Sequence, residues 1–470
     1  MKTYQLIAEQ VAASGVEKVF GLMGEANMHL LCALDTLPQL EVVAVRNEAG
    51  AVSMADGAYR ATGRVQFATV TSGPGLSQVC TALTIASRAG SALVLAAGDI
   101  AADAANRNHQ FDHAAFAAVC GAEHLSLAAE DDAAELVRRA WSIATTHRKP
   151  VLITLPADTM LAETSGNPQA IPAPPHYAPL QNEWNIEALA ALLSSARRPV
   201  IIAGRGALAA GAAGHVCALA DATDALLATT LPAKGLFDGH QRNCGIAGGF
   251  AAAPAQAAFA DADLVLGVGA ELGHYTVAGG KLFPNARFAA IDTGALNHRA
   301  VTTEITIRGD AAEIVATLTA RLSASRPSKH LSTPLDWPAP PQHTIADGLD
   351  PRRLATEIGD WLPPSARLVV GGGHAMAFLG MYTAVPGART LFCYHFGAVG
   401  FALPIAVGAA MADPAAPILL VEGDGSLLMN LSELETCARL RRSFVVLVWN
   451  DGGYGALNRE GAPRHRCSPQ

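Results

Sequence analysis

Two short runs near the carboxyl end of the chain, Gly423-Asp424-Gly425 and Asn450-Asp451-Gly452-Gly453-Tyr454-Gly455, combine carboxylates with a pliant backbone. Such a combination could let a divalent cation clamp a diphosphate. The apolar runs 418–421 and 444–449 predict buried strands with a helix over 432–442 between them, so Asp424 and Asp451 each follow the carboxyl end of a strand. Magnesium takes about six oxygens in near-octahedral array and commonly draws on one or two carboxylates plus substrate phosphates. Asp424 and Asp451 supply the side-chain oxygens of this reading, and Gly453, without a Cβ, can turn its carbonyl toward the ion. Either run alone is an ordinary turn; the pair, each behind its own strand, points to a metal site.

Other candidates also stand at predicted strand ends. Glu48 follows the strand 41–45 and opens a helix of small residues over 49–61, which puts a carboxyl group at a ligand-facing rim. A glutamate in a first helical turn also suits the helix dipole, and position alone leaves both readings open. Thr71-Ser72-Gly73-Pro74-Gly75 joins the strand 66–71 to a helix over 76–87; its backbone can approach a ligand closely, or it is a plain βα turn. Gly24-Glu25-Ala26-Asn27 follows the strand 18–21 and offers Glu25 either as an acid or as a solvated loop residue. From the loop Asn108-His109-Gln110-Phe111-Asp112-His113, Gln110 and His113 are the choices for substrate contact. His274 and His374 are weaker candidates, since a lone loop histidine commonly serves only the surface.

These elements need a large scaffold, and the composition provides one. The chain has 470 residues, half of them hydrophobic and 16% charged, enough for about three domains. A net charge of -8 gives no basic footprint and argues against nucleic acid or an anionic membrane surface as partner. The cysteines show no CxxC spacing, which speaks against zinc or a disulfide framework and for a reducing compartment. With no signal-peptide core after Met1 and no apolar run of membrane-spanning length, a cytoplasmic location is expected.

Proline-rich stretches at 162–182 and 324–348 divide the chain into residues 1–165, 183–323 and 349–470. All three blocks alternate apolar strands with helical stretches, the pattern of parallel sheets covered on both faces. Expected strands are 41–45, 66–71, 92–97 and 151–154 in the first block, 200–203, 264–267 and 288–291 in the second, and 368–370, 418–421 and 444–449 in the third. The fold class is therefore α/β, with three doubly wound parallel-sheet domains.

Gly423-Asp424-Gly425 with Asn450-Asp451 one βα unit later resembles the thiamine-diphosphate motif of the acetolactate synthase, pyruvate oxidase and benzoylformate decarboxylase group. Arg46, Glu48, Ala51 and Met54-Ala55-Asp56-Gly57-Ala58-Tyr59 resemble that family's R-x-E-x-x-A-x-x-M-A-D-G-Y-like segment, and the block order matches its pyrimidine-binding, central and diphosphate-binding domains. The resemblance implies thiamine diphosphate and Mg2+ as cofactors, with Asp424, Asp451 and the Gly453 carbonyl on the metal and Gly423, Gly425 and Ser426 beside the diphosphate. It implies that Glu48 bonds the aminopyrimidine ring and relays a proton, that Thr71, Ser72, Gly73 and Pro74 lie beside the cofactor, and that His374 touches the pyrimidine. Gly397-Ala398-Val399-Gly400-Phe401-Ala402-Leu403-Pro404 resembles the segment whose apolar residue wedges between the cofactor rings, here Val399. Glu25 stands where decarboxylating members can carry an acid able to protonate an enamine intermediate.

The implied activity is decarboxylation and carboligation of a 2-oxo acid in the manner of acetolactate synthase. A simple 2-oxo acid decarboxylase is the alternative, as is a non-catalytic cofactor-binding protein. Sites paired between subunits imply a homodimer or homotetramer. Gly204-Arg205-Gly206 and Asp292 in the central block leave FAD as a minor alternative, because the spacing is not GxGxxG; a nicotinamide dehydrogenase would need that fingerprint too. After Gly455 the family continues for roughly half a domain, judged by usual domain size, whereas 458–470 is polar and without hydrophobic periodicity. This closing stretch reads as a frayed tail, and the third domain is expected to be incomplete.

Overall fold

The computed structural model describes residues 1–101, 104–105, 107–171, 183–294, 299–323 and 349–452. Each block builds a sheet. The first contains β1 (Lys18–Gly21), β2 (Glu41–Ala44), β3 (Gln66–Val70), β4 (Leu93–Asp99), β5 (Glu123–Ser126) and β6 (Pro150–Pro156), in the order β2-β1-β3-β4-β6-β5. The second contains β7 (Pro199–Ala203), β8 (Leu226–Thr229), β9 (Asn243–Ile246), β10 (Leu264–Val268), β11 (Arg287–Asp292) and β12 (Ile305–Arg308), in the order β12-β11-β10-β7-β8-β9. The third contains β13 (Arg367–Val370), β14 (Thr390–Phe392), β15 (Ile418–Gly423) and β16 (Val445–Trp449), in the order β14-β13-β15-β16. Pairing is parallel throughout the first two sheets and among β13, β15 and β16. The fold is thus α/β with three parallel sheets, the third the smallest.

The central strands are buried without alternation because helices cover both faces. All residues of β3, β7 and β10 are buried. By internal contacts the chain forms two compact units. One comprises Met1–Pro174, Pro364–Met376 and Leu391–Gln470, the other Pro175–Pro363 and Ala377–Thr390. The first unit therefore unites the first sheet with the third. Among the described residues no helix is long and apolar enough to cross a membrane.

The helices that bear on the site are α1 (Glu48–Thr62), α2 (Pro74–Gln78), α3 (His113–Cys120), α4 (His374–Tyr382), α5 (Ala402–Ala412), α6 (Asp424–Met429) and α7 (Glu433–Arg439). The Asn47 side chain accepts from the Ala49 N–H and caps α1, which ends at Gly63 with φ 71°. Helix α1 is rich in small residues on its buried face and crosses the fully apolar α5 so closely that backbones touch. A Cβ on Gly57 would fall within 3.0 Å of the Ile405 carbonyl, and one on Gly408 within 3.0 Å of the Met54 carbonyl. Beside this crossing Arg60 grips Asp56 through two nitrogens, at 2.8 and 2.6 Å, and donates to the Phe392 carbonyl at 3.2 Å. Ser91 donates to the same carboxylate. Both charged side chains are buried, so removing one partner would cost about 3–5 kcal/mol.

Some expected elements differ. The helix expected over 76–87 is two, Pro74–Gln78 and Cys80–Ala89, because Val79 takes φ -87° and ψ 1°. The helix expected over 432–442 shortens to α7, and α6 was not anticipated before it. Strands β5, β8, β9, β12 and β14 also lay outside the sequence reading; they are short, and β5 and β12 carry polar residues at sheet edges. Of the seven cysteines described, four are buried and Cys32 is exposed.

The crossing yields a stability test. Gly408→Val should destabilise by about 1–3 kcal/mol or more through overpacking, read as a lower thermal midpoint. Gly214→Ala, where a Cβ meets open space, should be neutral or slightly stabilising.

Candidate functional site

The diphosphate half sits at the carboxyl end of the third sheet. Gly423, the last residue of β15, pairs with Trp449, the last residue of β16, so Asp424 and Asp451 leave neighbouring strands side by side. Asp424 opens α6 half-buried, Gly425 is half-buried and Ser426 is buried in the first turn. Asp451 accepts from His374 Nδ1 at 3.0 Å, at the first residue of α4. His374 is thus joined to the proposed metal ligand rather than standing apart as a loop histidine. Gly453 lies outside the described residues. Among the described residues no group of three or more His, Cys, Asp or Glu side chains could by itself hold a metal. A pair of carboxylates is what remains, and it is the donor set expected when phosphate oxygens complete the shell.

Val399 closes this rim. Its Cγ1 would stand 3.3 Å from a Cβ on Gly372, two residues beyond β13, and Asn430 donates to the Gly400 carbonyl at 2.7 Å, tying the segment to the end of α6. Two residues before Asp424, near the end of β15, Glu422 is wholly buried. Its carboxyl faces the N–H groups of Ala402 and Leu403 at the start of α5 but makes no full hydrogen bond, and burial pushes its pKa up to about 7. The sequence reading missed Glu422; an acid inside an otherwise apolar strand run was the available signal.

The pyrimidine half sits at the carboxyl end of the first sheet. Glu48, half-buried, begins α1 just beyond β2. A Cβ on Gly75 would stand 3.3 Å from Glu48 Oε1 and 2.6 Å from Thr71 Cγ2, so the carboxyl and the Thr-Ser-Gly-Pro-Gly turn converge. Ser72 is buried, Gly73 takes φ 47° and Pro74 is the exposed first residue of α2. The loop carrying Glu25 leans on the same turn: a Cβ on Gly24 would stand 2.5 Å from Thr71 Cβ, and the Ala26 N–H donates to Thr71 Oγ1 at 3.4 Å. Glu25 itself is exposed, at the start of a single 3-10 turn whose Asn27 donates to Leu22 and Thr69. Glu48, Glu25 and Thr71 are thus gathered at one rim. The His109 carbonyl joins them, 2.6 Å from where a Cβ of Gly73 would be.

Gln110 and His113 separate. Gln110 is exposed, whereas His113 is not a loop residue: it begins α3 and is buried. Its Nδ1 meets Thr154 Oγ1 at 2.9 Å, and the same hydroxyl meets His124 Nε2 at 2.9 Å. His113 Nε2 points toward Asp99 at 3.8 Å, too long for a hydrogen bond. Burial lowers the pKa of His113, with Asp99 opposing and His124 reinforcing, and burial also lowers that of His124. His274 is exposed in the second unit, where it begins a short helix, His274–Val277. In that unit Gly204 and Gly206 are filled by the chain itself, since Cβ atoms there would strike Gly269.

A lowered histidine pKa means that the unfolded chain binds protons the folded chain refuses, so stability is present above about pH 6.5 and is lost as pH falls through the folded value. His113→Gln should therefore flatten the drop in thermal midpoint between about pH 7 and pH 5 relative to the parent protein. An unchanged slope would mean that His113 takes up its proton as readily in the fold as in the unfolded chain.

Comparisons with known proteins give relatives over nearly the whole chain. The thiamine pyrophosphate enzyme N-terminal TPP binding domain matches residues 1–118, the central domain 186–318 and the C-terminal TPP binding domain 371–468. The last match runs through the closing polar stretch, which corrects the expectation that the family pattern stops after Gly455. The acetolactate synthase isozyme 3 large subunit of Escherichia coli (strain K12) is 26% identical over 97% of this chain and 83% of its own. A protein of Mycobacterium avium described as acetolactate synthase is 29% identical over 97% and 76%. One of Pseudomonas aeruginosa described as a probable 2-ketoarginine decarboxylase is 29% identical over 96% and 82%. A solved structure described as a thiamin diphosphate-dependent enzyme from Mycobacterium smegmatis shares the fold, with a TM-score of 0.81 at 22% identity over 97% of this chain and 89% of that one. With its N-terminal, central and C-terminal models matched in order, the chain belongs to the thiamine pyrophosphate enzyme family.

Proposed function

We infer that the protein is a thiamine-diphosphate- and Mg2+-dependent enzyme that decarboxylates a 2-oxo acid and passes the product to an acceptor, as acetolactate synthase does. The observation that carries this reading is the pair Asp424 and Asp451 on neighbouring strand ends, with Glu48 at the corresponding rim of another sheet. The residues fit the cofactor: two hard carboxylates for a divalent cation, small residues around the α2 turn for a flat ring, and an apolar Val399 beside the rim. When bound, thiamine diphosphate supplies the electron sink that makes loss of CO2 feasible.

The chain's own residues do the rest. Asp424 and Asp451 would hold the metal against the diphosphate, and His374 keeps Asp451 oriented through its Nδ1 bond. Glu48, braced near Thr71 and Gly75, would exchange a proton with the ring nitrogen it meets. Val399 and the buried face behind it exclude water. Glu25, exposed beside Thr71, would donate a proton to a small product; this favours simple 2-oxo acid decarboxylation as the second reading. The relative described as a probable 2-ketoarginine decarboxylase supports keeping it. A homodimer or homotetramer is also proposed, because Leu428, Met429, Leu431 and Leu434 leave apolar side chains exposed along α6 and into α7.

Calorimetric titration should show saturable uptake of thiamine diphosphate that needs Mg2+, weakened by Asp424→Asn about tenfold or more, in line with loss of a metal ligand. No uptake by folded protein would end the proposal. With cofactor present, CO2 release from a panel of 2-oxo acids, with acetolactate and aldehyde measured separately, should favour the ligated product; aldehyde alone would select the second reading. Glu48→Gln should lower kcat by about a hundredfold or more, the usual worth of a positioned proton-transfer group. Light scattering should give at least twice the monomer mass, and an active monomer would refute the assembly.

A further inference from the structure

A carboxylate that has no place in the chemistry above is buried against the turn that carries Glu48. Glu433, the first residue of α7, has no solvent exposure. Its Oε1 accepts from the backbone N–H groups of Arg46 at 3.1 Å and Asn47 at 3.2 Å, and its Oε2 accepts from Thr436 Oγ1 at 2.7 Å. Oε1 also lies where a Cβ on Gly50 would stand, so that only glycine leaves room for it in the first turn of α1. The same helix grips the segment elsewhere: Glu435 pairs with the Arg46 side chain, and Arg439 donates to the Ala44 carbonyl. Residues 44 to 50 are thus held by three side chains of α7, the helix that follows the Asp424 helix.

We propose that Glu433 is a positioning residue that fixes the turn bearing Glu48, so that the arm of the fold carrying Asp424 also sets the aim of the proton-transferring carboxyl. The proposal rests on the assignment of Glu48 under the proposed function. Its physical basis is economy of acceptors. The Arg46 and Asn47 N–H groups precede the helix and have no helical partner, and Asn47 spends its own side chain capping Ala49. A carboxylate accepting both fixes the direction of the two peptide planes leading into Glu48, and charge-assisted bonds of this kind hold geometry better than neutral ones. Burial raises the pKa of Glu433, while the two N–H groups, Thr436 and the positive Arg46 favour its charged form. A merely structural role would give the same bonds but no effect on turnover in folded protein.

The test pairs native-state amide hydrogen exchange with turnover, in Glu433→Ala, Glu433→Gln and Gly50→Ala. Glu433→Ala should speed exchange at Arg46 and Asn47 and lower kcat at saturating cofactor and Mg2+, each by about tenfold or more, with substrate KM nearly unchanged. Gln keeps an acceptor oxygen for the N–H pair and should restore both readouts to within about threefold of the parent. Gly50→Ala leaves the carboxylate in the chain but thrusts a methyl into its place, and should mimic Glu433→Ala; this variant decides the matter if Glu433→Ala does not fold. Folded variants that keep parental protection at residues 46 and 47, or that lose it with kcat intact, overturn the proposal. Should the parent itself release no CO2, the proposed activity has failed, and the exchange arm alone still decides whether Glu433 holds the turn.

Discussion

The contact on which the first unit depends is the crossing of α1 over α5, where two backbones touch without a side chain between them. Gly57 and Gly408 make that approach possible, and the buried Asp56–Arg60 pair, with Ser91 and the Phe392 carbonyl, locks it at one flank. Close-packed interiors transmit displacement instead of absorbing it. The first turn of α1 carries Glu48 and the strand packed behind α5 leads directly into Asp424, so both take their positions from one steric constraint. Asp56 and Gly57, which stand inside the family-like segment, therefore serve the join between two sheets rather than the chemistry at its rim.

Much of this was legible in the chain. Continuous apolar runs fixed the central strands of each sheet, and Asp424, Asp451, Glu48 and Thr71 emerged because ligand-facing groups gather at carboxyl strand ends. Edge strands such as β5 and β12 were not legible, since a short strand with polar residues carries no period to read. Helix α6 was hidden because a glycine turn and a short apolar run resemble the end of a strand. His113 was misplaced for a different reason: its neighbours looked like loop, and only the tertiary fold puts Thr154 within 2.9 Å of its ring. Glu433 was invisible as a site residue, because its partners lie 387 and 386 positions away in sequence.

At the diphosphate rim the balance of charge is set before any ligand arrives. Asp451 shares an oxygen with His374, whereas Asp424 stands at the mouth of α6, two residues after a buried acid with no full hydrogen bond. Glu422 has its pKa raised to about 7 by desolvation, so at that pH much of it carries no negative charge. The site thereby concentrates anionic character on the two rim carboxylates, half-buried Asp424 and exposed Asp451.

The Thr154 hydroxyl carries a single hydrogen and lies between two imidazoles. When that hydrogen goes to Nδ1 of His113, the remaining ring nitrogen of neutral His113 bears the N–H and directs it at Asp99, while Nε2 of neutral His124 must donate to the hydroxyl oxygen. When it goes to His124 instead, both rings exchange tautomers and Asp99 faces a lone pair. Rotation of the hydroxyl, together with a proton lost from one nitrogen and gained at the other on each ring, would thus reverse the polarity of a side chain on each of three structural elements with no change in net charge.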